Sequence, residues 1–393
     1  MSEKIFKTSD FKTKTLFMDR AFPNDSSKWV LAIDIGYSSL KSITPNKAFC
    51  FPAYARKIPE NRIRLSDASS TDIKYRDADG TWVVGALAYD EVNATEVVDS
   101  ETELFGRHRY FSSMFQVIAK TGMAIGLMRN QYGNPEGKRI AVQTGLPPKY
   151  MGADEKDIKE ALAGKHVFDI QIGGNAWQHF DFELNESDIY VIPQPLGSLI
   201  SASIDINGKP LAISSEYFSK NLIVFAPGFG TTDEYIVKRG SVIGPGETFP
   251  EFGMREVFAR TCHDIKDAYG VEIPIPELQN KLDTGMVKVT NRKAMKSQKY
   301  SFAGFLEENC RKVCVDTIER MKIVNNYFTD IDYIIATGGT YDAWSEIFNE
   351  TFRDMEDLKI VPANINDTSL SNVFSNVRGY YFRLMNLRQR KEG

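Results

Sequence analysis

The stretch Val30-Leu-Ala-Ile-Asp34-Ile-Gly36-Tyr37-Ser38-Ser39-Leu-Lys41-Ser-Ile43 constrains this chain more than any other. The β-prone run Val30 to Ile33 delivers a carboxylate to the end of a strand. Gly36 then permits a turn with φ > 0, and polar residues lead into a second strand. Such a hairpin can hold a nucleotide. Gly36 lets backbone N–H groups approach phosphate oxygens with no Cβ in the way, Ser38 and Ser39 add hydroxyl donors beside Tyr37, and Lys41 can reach back to the phosphates. Asp34 would hold Mg²⁺ through its water shell, because Mg²⁺ gives up water reluctantly. Alone, strand-Asp-x-Gly-strand is equally the mark of an ordinary hairpin with a polar turn.

A similar device recurs twice. The apolar run Leu222 to Phe225 passes through Ala226-Pro-Gly228-Phe229-Gly230-Thr231-Thr232-Asp233 into Glu234 to Lys238, which alternates like a strand. Ile331 to Ala336 ends at Thr337-Gly338-Gly339-Thr340 before a helical pattern from Tyr341 to Phe352. Two facing hairpins can clamp a triphosphate with N–H donors and the hydroxyls of Ser38, Ser39, Thr231 and Thr232. The third turn lets a base and ribose lie against backbone and aims a helix N-terminus at the nucleotide. Other phosphate devices fail. Gly133 to Arg139 is one residue short of a P-loop and has Arg where Ser or Thr should bind the metal. Gly228-Phe-Gly230 has Asp233 where a dinucleotide fingerprint needs its third Gly.

Around these turns the chain alternates strands and helices, which argues for an α/β protein. Residues 1–28 read as an extension ahead of the first strand, and Pro59 to Ala78 as a charged, irregular peripheral part. Thr81 to Ala88 reads as a strand returning to the core. A helix is expected from Arg109 to Asn130, strands at Lys138 to Thr144 and Ile189 to Ile192, and the longest helix at Phe302 to Phe328. The second half opens with strand, glycine turn, strand, as the first does, which suggests duplication. Cys310 and Cys314, one turn apart on that longest helix with no His nearby, read as buried thiols rather than metal ligands.

Length and charge set limits. With 393 residues, two or three domains are expected, and the 42% hydrophobic and 25% charged content is that of a soluble globular protein. A net charge of -4 leaves no electrostatic footprint for nucleic acid, so any DNA contact is expected to be indirect. Four cysteines make no disulfide framework, and neither a secretion signal nor an apolar stretch of bilayer length is evident, so a cytoplasmic setting without membrane attachment is expected.

Asp34-x-Gly36…Lys41, Gly228-x-Gly230-Thr231-Thr232-Asp233 and Thr337-Gly338-Gly339 resemble the phosphate-1, phosphate-2 and adenosine motifs of the actin, sugar-kinase and heat-shock chaperone superfamily. Thr144-Gly145-Leu146-Pro147, Ile192-Pro193-Gln194-Pro195 with Gly197, and Asn376-Val377-Arg378-Gly379-Tyr380 look more specifically like the ParM-type bacterial actins that segregate plasmids. The resemblance implies an actin-like (ribonuclease H-like) α/β fold: two duplicated lobes around a nucleotide cleft. Lobe I would span 29–195, with a small peripheral subdomain at 51–79, and be completed by 363–393. Lobe II would span 196–362, with a peripheral subdomain at 241–300.

The resemblance implies further that Gln194 positions the water attacking the γ-phosphate, with Asp34 and Asp233 as the catalytic carboxylates and Asp34 the metal ligand. Gly36, Tyr37, Ser38, Ser39, Lys41, Gly228, Phe229, Gly230, Thr231, Thr232, Gly338, Gly339 and Thr340 would bind the nucleotide. Pro195 suits the first turn of a helix and Pro193 ends a strand, which would hold the amide of Gln194 between them. One departure stands out: Ala226 occupies the place where the superfamily's second hairpin usually begins with Asp, so hydrolysis is expected to be altered. The function implied is an actin-like ATPase or GTPase that polymerises with Mg²⁺ and ATP or GTP and moves plasmid DNA through a ParR-like DNA-binding adaptor. The alternative is a small-molecule kinase, for a sugar or an acid, on the same fold. A membrane-bound cell-shape actin would want an amphipathic anchor, which the sequence does not offer.

Overall fold

The computed structural model describes residues 6–24, 27–59, 67–90, 106, 109–244, 246–291 and 294–389. A six-stranded sheet runs in the order Leu16–Asp19, Lys47–Pro52, Ser39–Thr44, Lys28–Ile35, Arg139–Leu146, Ile189–Pro193. Lys28–Ile35 and Ser39–Thr44 form an antiparallel hairpin, whereas Arg139–Leu146 and Ile189–Pro193 add in parallel. A second sheet repeats the scheme. Asn221–Pro227 and Thr232–Lys238 form the hairpin, and Tyr333–Ala336 and Lys359–Pro362 add in parallel.

The central strand Lys28–Ile35 is buried at every position, as expected of a strand covered on both faces. Its alternation divides two cores. Leu31, Ile33 and Ile35 face helix Ser113–Leu127, while Val30 and Ala32 face the last helix, Ser375–Gln389. In the second sheet Ile223 and Phe225 join the core made by helices Met254–Tyr269, Ala303–Val324 and Gly338–Thr351. Leu222 and Val224 face Leu199, Ala202 and Tyr217, from helices Gln194–Ser203 and Ala212–Ser219. Helix Gln194–Ser203 leads out of the first sheet and lies against the last helix. There a Cβ on Gly379 would stand 1.8 Å from the Gly197 carbonyl oxygen, so the two helices cross with backbone in contact.

Several expectations need correction. The extension is structured where described: a 3₁₀ turn at Thr8–Phe11 and a strand, Leu16–Asp19, that pairs with Lys47–Pro52 as an added sheet edge. The strand, Leu16-Phe-Met-Asp19, has only four residues, too few to show a period. Pro59 to Ala78 contains the strand Ile73–Asp77, though residues 60–66 lie outside the described residues. Thr81 to Ala88 does not return to the core sheet: strand Gly80–Val84 pairs with Ala55–Ile58 and Ile73–Asp77, and the chain turns at Gly85 into the short helix Ala86–Tyr89. That small sheet also takes Gly164–Ile172 and Gln178–Leu184, so it reaches well beyond 51–79. Arg109 to Asn130 resolves into a 3₁₀ turn at Arg109–Phe111 and the helix Ser113–Leu127, whose start is capped by Ser112. The region 274–289 carries a helix, Ile275–Lys281, and the first strand of the hairpin Met286–Asn291 and Lys296–Ser301. Cys310 and Cys314 are buried, and burial pushes the Cys310 thiol up to about 12.

Candidate functional site

Each glycine turn stands where a buried strand ends. In the first, the Gly36 N–H donates to the Ser39 carbonyl at 3.1 Å. Gly36 is needed for space rather than for a positive φ: a Cβ would lie 3.1 Å from both Lys41 Nζ and the Ser39 carbonyl. In the second, the Gly228 N–H donates to the Thr231 carbonyl at 2.7 Å. The carbonyls of Gly228 and Phe229 accept from the N–H groups of Met254 and Arg255, so this turn sits on a helix N-terminus whose first donors it satisfies. In the third, Gly338 has φ +90° and opens helix Gly338–Thr351 directly after Thr337.

These turns come from segments roughly 110 to 300 residues apart along the chain, yet they line a single cavity of about 630 Å³ between the two sheets. Asp34, Gly36, Tyr37, Ser38, Ser39, Lys41, Gln194, Gly228, Phe229, Thr231, Asp233, Gly338, Gly339 and Thr340 are in its walls. Two of the expected residues are not. Thr232 is fully buried and its hydroxyl donates to the Phe252 carbonyl, so it supports the turn from behind. Gly230 packs against the ring of Tyr37, where a Cβ would come within 2.8 Å of ring carbon. Thus the first hairpin's aromatic seats on the second hairpin's glycine.

At the floor of the cavity Asp34 is 3% exposed. Gln194 Nε2 donates to its Oδ1 at 3.0 Å, and Lys41 Nζ stands 3.5 Å from its Oδ2. Gln194 begins its helix behind Pro193, so strand end and helix start aim the amide into the cavity. Asp233 accepts from Thr248 Oγ1 at 2.7 Å; burial, reinforced by the negative charge of Asp34, pushes its carboxyl up to about 7. Asp34 and Asp233 bring two buried carboxyl groups to one cavity, and carboxyl oxygens, once ionised, are hard donors of the kind Mg²⁺ takes. The donor set therefore fits a divalent cation.

The three segments are tied together behind the walls. Thr340 Oγ1 donates to the Gly228 carbonyl at 3.0 Å, which joins the second and third turns. The Ser198 hydroxyl lies 2.8 Å from Thr337 Oγ1 and 2.5 Å from Asn376 Oδ1, which joins Gln194's helix to the third turn and the last helix.

Sequence reasoning missed two residues. Arg109 lies in the cavity wall, its guanidinium 4.3 Å from the Tyr37 ring centre and donating from Nη2 to the Ile35 carbonyl at 2.7 Å. A single Arg at a predicted helix start carries no pattern that could have revealed it. Tyr380 is fully buried behind the site, and its hydroxyl would stand 2.0 Å from a Cβ on Gly145. The signal for that contact was present, since Gly145 and Tyr380 both fall in the family-like motifs, but only their pairing explains either.

Residues 32–197 match the family model of the actin-like proteins' N-terminal domain. No curated protein matches the chain. Among solved structures, a non-polymerisable quadruple mutant of pCBH ParM superposes with a TM-score of 0.68 at 17% identity, over 92% of this chain and 100% of that one. A 15-stranded ParM filament from Clostridium botulinum gives 0.67 at 16% identity, over 92% and 99%. Bacillus thuringiensis ParM with ATP gives 0.55 at 15%, over 93% and 100%. At such identities the likeness is one of fold, and the fold is actin-like.

Proposed function

We propose that this actin-like protein binds Mg²⁺ with ATP or GTP, hydrolyses it, and assembles with further copies of itself into filaments whose cargo is plasmid DNA held by a ParR-like DNA-binding adaptor. The observation that carries the reading is the meeting of three distant glycine turns around one cavity, with Asp34 and Gln194 hydrogen-bonded at its floor. The solved structures with this fold include ParM filaments and a ParM with ATP, which supports self-assembly and ATP as the first nucleotide to try.

In this reading the hairpin turns present N–H groups and the hydroxyls of Ser38, Ser39 and Thr231 to the phosphates, and Lys41 offsets their charge. Asp34 and Asp233 hold the hydrated cation, which when bound draws charge from the β- and γ-phosphates. Gln194 orients the attacking water, and Asp34 keeps the amide in place by accepting its N–H. Ribose and base lie against Gly338 and Gly339, at the start of a helix whose dipole favours anions. In the same reading the lobes are 29–195 with 363–393 and 196–362, and their angle, set by the nucleotide, governs a head-to-tail contact that does not close on itself.

Light scattering and sedimentation with Mg-ATP and Mg-GTP test this. Scattering that rises with nucleotide and decays as phosphate is released is the expected result. A chain that stays monomeric at high concentration with both nucleotides, or that consumes nucleotide only when a sugar or carboxylic acid is added, overturns it.

A further inference from the structure

We propose that residues 6–19 form a strap that fastens the two halves of the molecule across the mouth of the cleft and sets how fast nucleotide leaves. The proposal rests on the nucleotide reading of the cavity.

One end of the strap belongs to the second half. Thr8 is buried, and its Oγ1 donates to the Leu282 carbonyl at 2.5 Å. Lys12 Nζ is ion-paired with Asp283, and the rings of Phe6 and Phe11, 5.2 Å apart, pack against the core of the second sheet. The other end belongs to the first half. The Cys50 thiol donates to the Lys14 carbonyl at 3.5 Å, and Leu16–Asp19 pairs with Lys47–Pro52, with Leu16 opposite Cys50 and Asp19 opposite Lys47. Beyond the strand, Arg20 Nη2 stands 2.9 Å from Asp367 Oδ2, and the Tyr381 hydroxyl donates to the Pro23 carbonyl at 2.5 Å.

Between Lys12, held by one half, and Lys14, held by the other, lies Thr13 alone. Two peptide units span at most roughly 7 Å. The halves therefore cannot part at this edge by much more than that span and the length of the Lys12 side chain unless one anchor lets go. Nor does the strap merely pass nearby: Phe6, Phe11, Thr13 and Lys14 are in the wall of the same cavity as Asp34 and Gly338. The segment that receives it is fastened a second time, because Asn280 Nδ2 donates to the Tyr89 carbonyl at 2.7 Å, from second half to first.

Of the two anchors, the one on the second half is made by side chains, those of Phe6, Thr8, Phe11 and Lys12, rather than by a strand ladder. The Lys12–Asp283 pair is partly exposed, and such pairs contribute little, whereas the strand at the other end is held by a ladder of backbone hydrogen bonds. Opening thus proceeds by release of Phe6 to Lys12 while Leu16–Asp19 stays in the sheet.

The test is the release rate of a fluorescently labelled ATP, chased with unlabelled Mg-ATP in stopped flow, at a protein concentration below the assembly threshold. Two variants are compared with the full chain. The first lacks residues 1–12 and keeps the strand. The second carries Thr8→Cys with Gly285→Cys, since a Cβ on Gly285 would lie 3.7 Å from Thr8 Cβ, within disulfide range. Gly285 has φ +65°, a left-handed region that a cysteine enters with some backbone strain. Truncation is expected to speed release about tenfold. The oxidised double variant, its cross-link verified by mass spectrometry, is expected to release more slowly than the full chain, and reductant to reverse the effect. Equal rates in truncated and full chains, or in oxidised and reduced double variant, overturn the strap. If the truncated chain shows no cooperative melting, the cross-linked variant decides alone. Absence of heat on titrating the full chain with Mg-ATP and Mg-GTP brings down the nucleotide reading itself, and the strap's role with it; binding with unchanged release brings down only the strap.

Discussion

At the scale of single residues the site holds two buried carboxyl groups: Asp34 faces Lys41 at 3.5 Å, while Asp233 accepts from the Thr248 hydroxyl. Ala226 pairs with Asp233 across the second hairpin and faces the cavity, so Ala226→Asp would add a third carboxylate to Asp34 and Asp233. Like charges raise one another's cost of ionisation. We expect this variant to melt lower than the parent at neutral pH without nucleotide and to recover most of the loss with Mg-nucleotide; phosphate release should differ from the parent, and identical rates with identical metal dependence would remove the role assigned to Ala226. Gln194→Ala should lower the rate of phosphate release by about 100-fold with little change in nucleotide affinity, because an orienting group is removed rather than a binding one. Single-turnover assays beside calorimetry separate the two. Glu234, next to Asp233 but on the opposite face of the strand, gives a pH test; the raised carboxyl of Asp233 adds to the same decline in stability as pH rises. Glu234 is fully buried and accepts from Asn325 Nδ2 at 2.9 Å, and burial pushes its carboxyl up to about 7. An acid with a raised folded-state value keeps its proton where the unfolded chain has lost it, so stability is greatest below about 4.5 and falls as pH rises through 7. Glu234→Gln should therefore flatten the decline of melting temperature between pH 5 and 8. An unchanged slope would show that the carboxyl is ionised in the fold.

Among elements, the crossing of helix Gln194–Ser203 with the last helix decides whether Gln194 reaches Asp34. Gly197 and Gly379 make it possible: a Cβ on Gly197 would meet the Tyr380 ring at 2.5 Å and the Asn376 carbonyl at 2.6 Å. The buried guanidinium of Arg378 closes the far end, donating to the carbonyls of Ser201 at 2.7 Å and Asp205 at 2.6 Å, where the dipole of helix Gln194–Ser203 favours a cation. Gly379→Ala should cost on the order of 3 kcal/mol, since the new methyl meets backbone and no rotamer can yield. Denaturant unfolding measures it, and a loss below about 1 kcal/mol would mean that the helices slide apart freely. The Asn376 to Tyr380 motif is thus legible as a resemblance in the sequence, but its work, which is to hold a neighbouring helix, becomes visible only when both helices are seen together. The glycine turns were legible as sites of close approach. Their reason was not: Gly230 is required by the Tyr37 ring opposite it, and Gly36 sits tightly against the Ser39 carbonyl and Lys41, and sequence carries no record of that neighbour for Gly230.

For the whole molecule, the two sheets share one plan, an antiparallel hairpin followed by two parallel strands, and the cavity lies where the hairpins face each other. Nucleotide bound there should raise the melting temperature of the chain in proportion to the logarithm of its concentration, as any ligand of the folded state does. A melting temperature indifferent to Mg-ATP and Mg-GTP would contradict the site. The sequence by itself determined the buried strands that carry the glycine turns, and the α/β class, because burial on two faces demands unbroken apolar runs and tight turns favour glycine, and both are local requirements. It also carried, in three short motifs, the actin-like fold that the structure shows. Only the tertiary structure decided which turns share a wall, that Thr232 faces away, that Arg109 comes to the cavity, and that the N-terminal segment adds a strand to one sheet while touching the other half. Those are contacts between residues far apart along the chain, and their energy depends on what folding brings opposite each side chain, which no local pattern encodes.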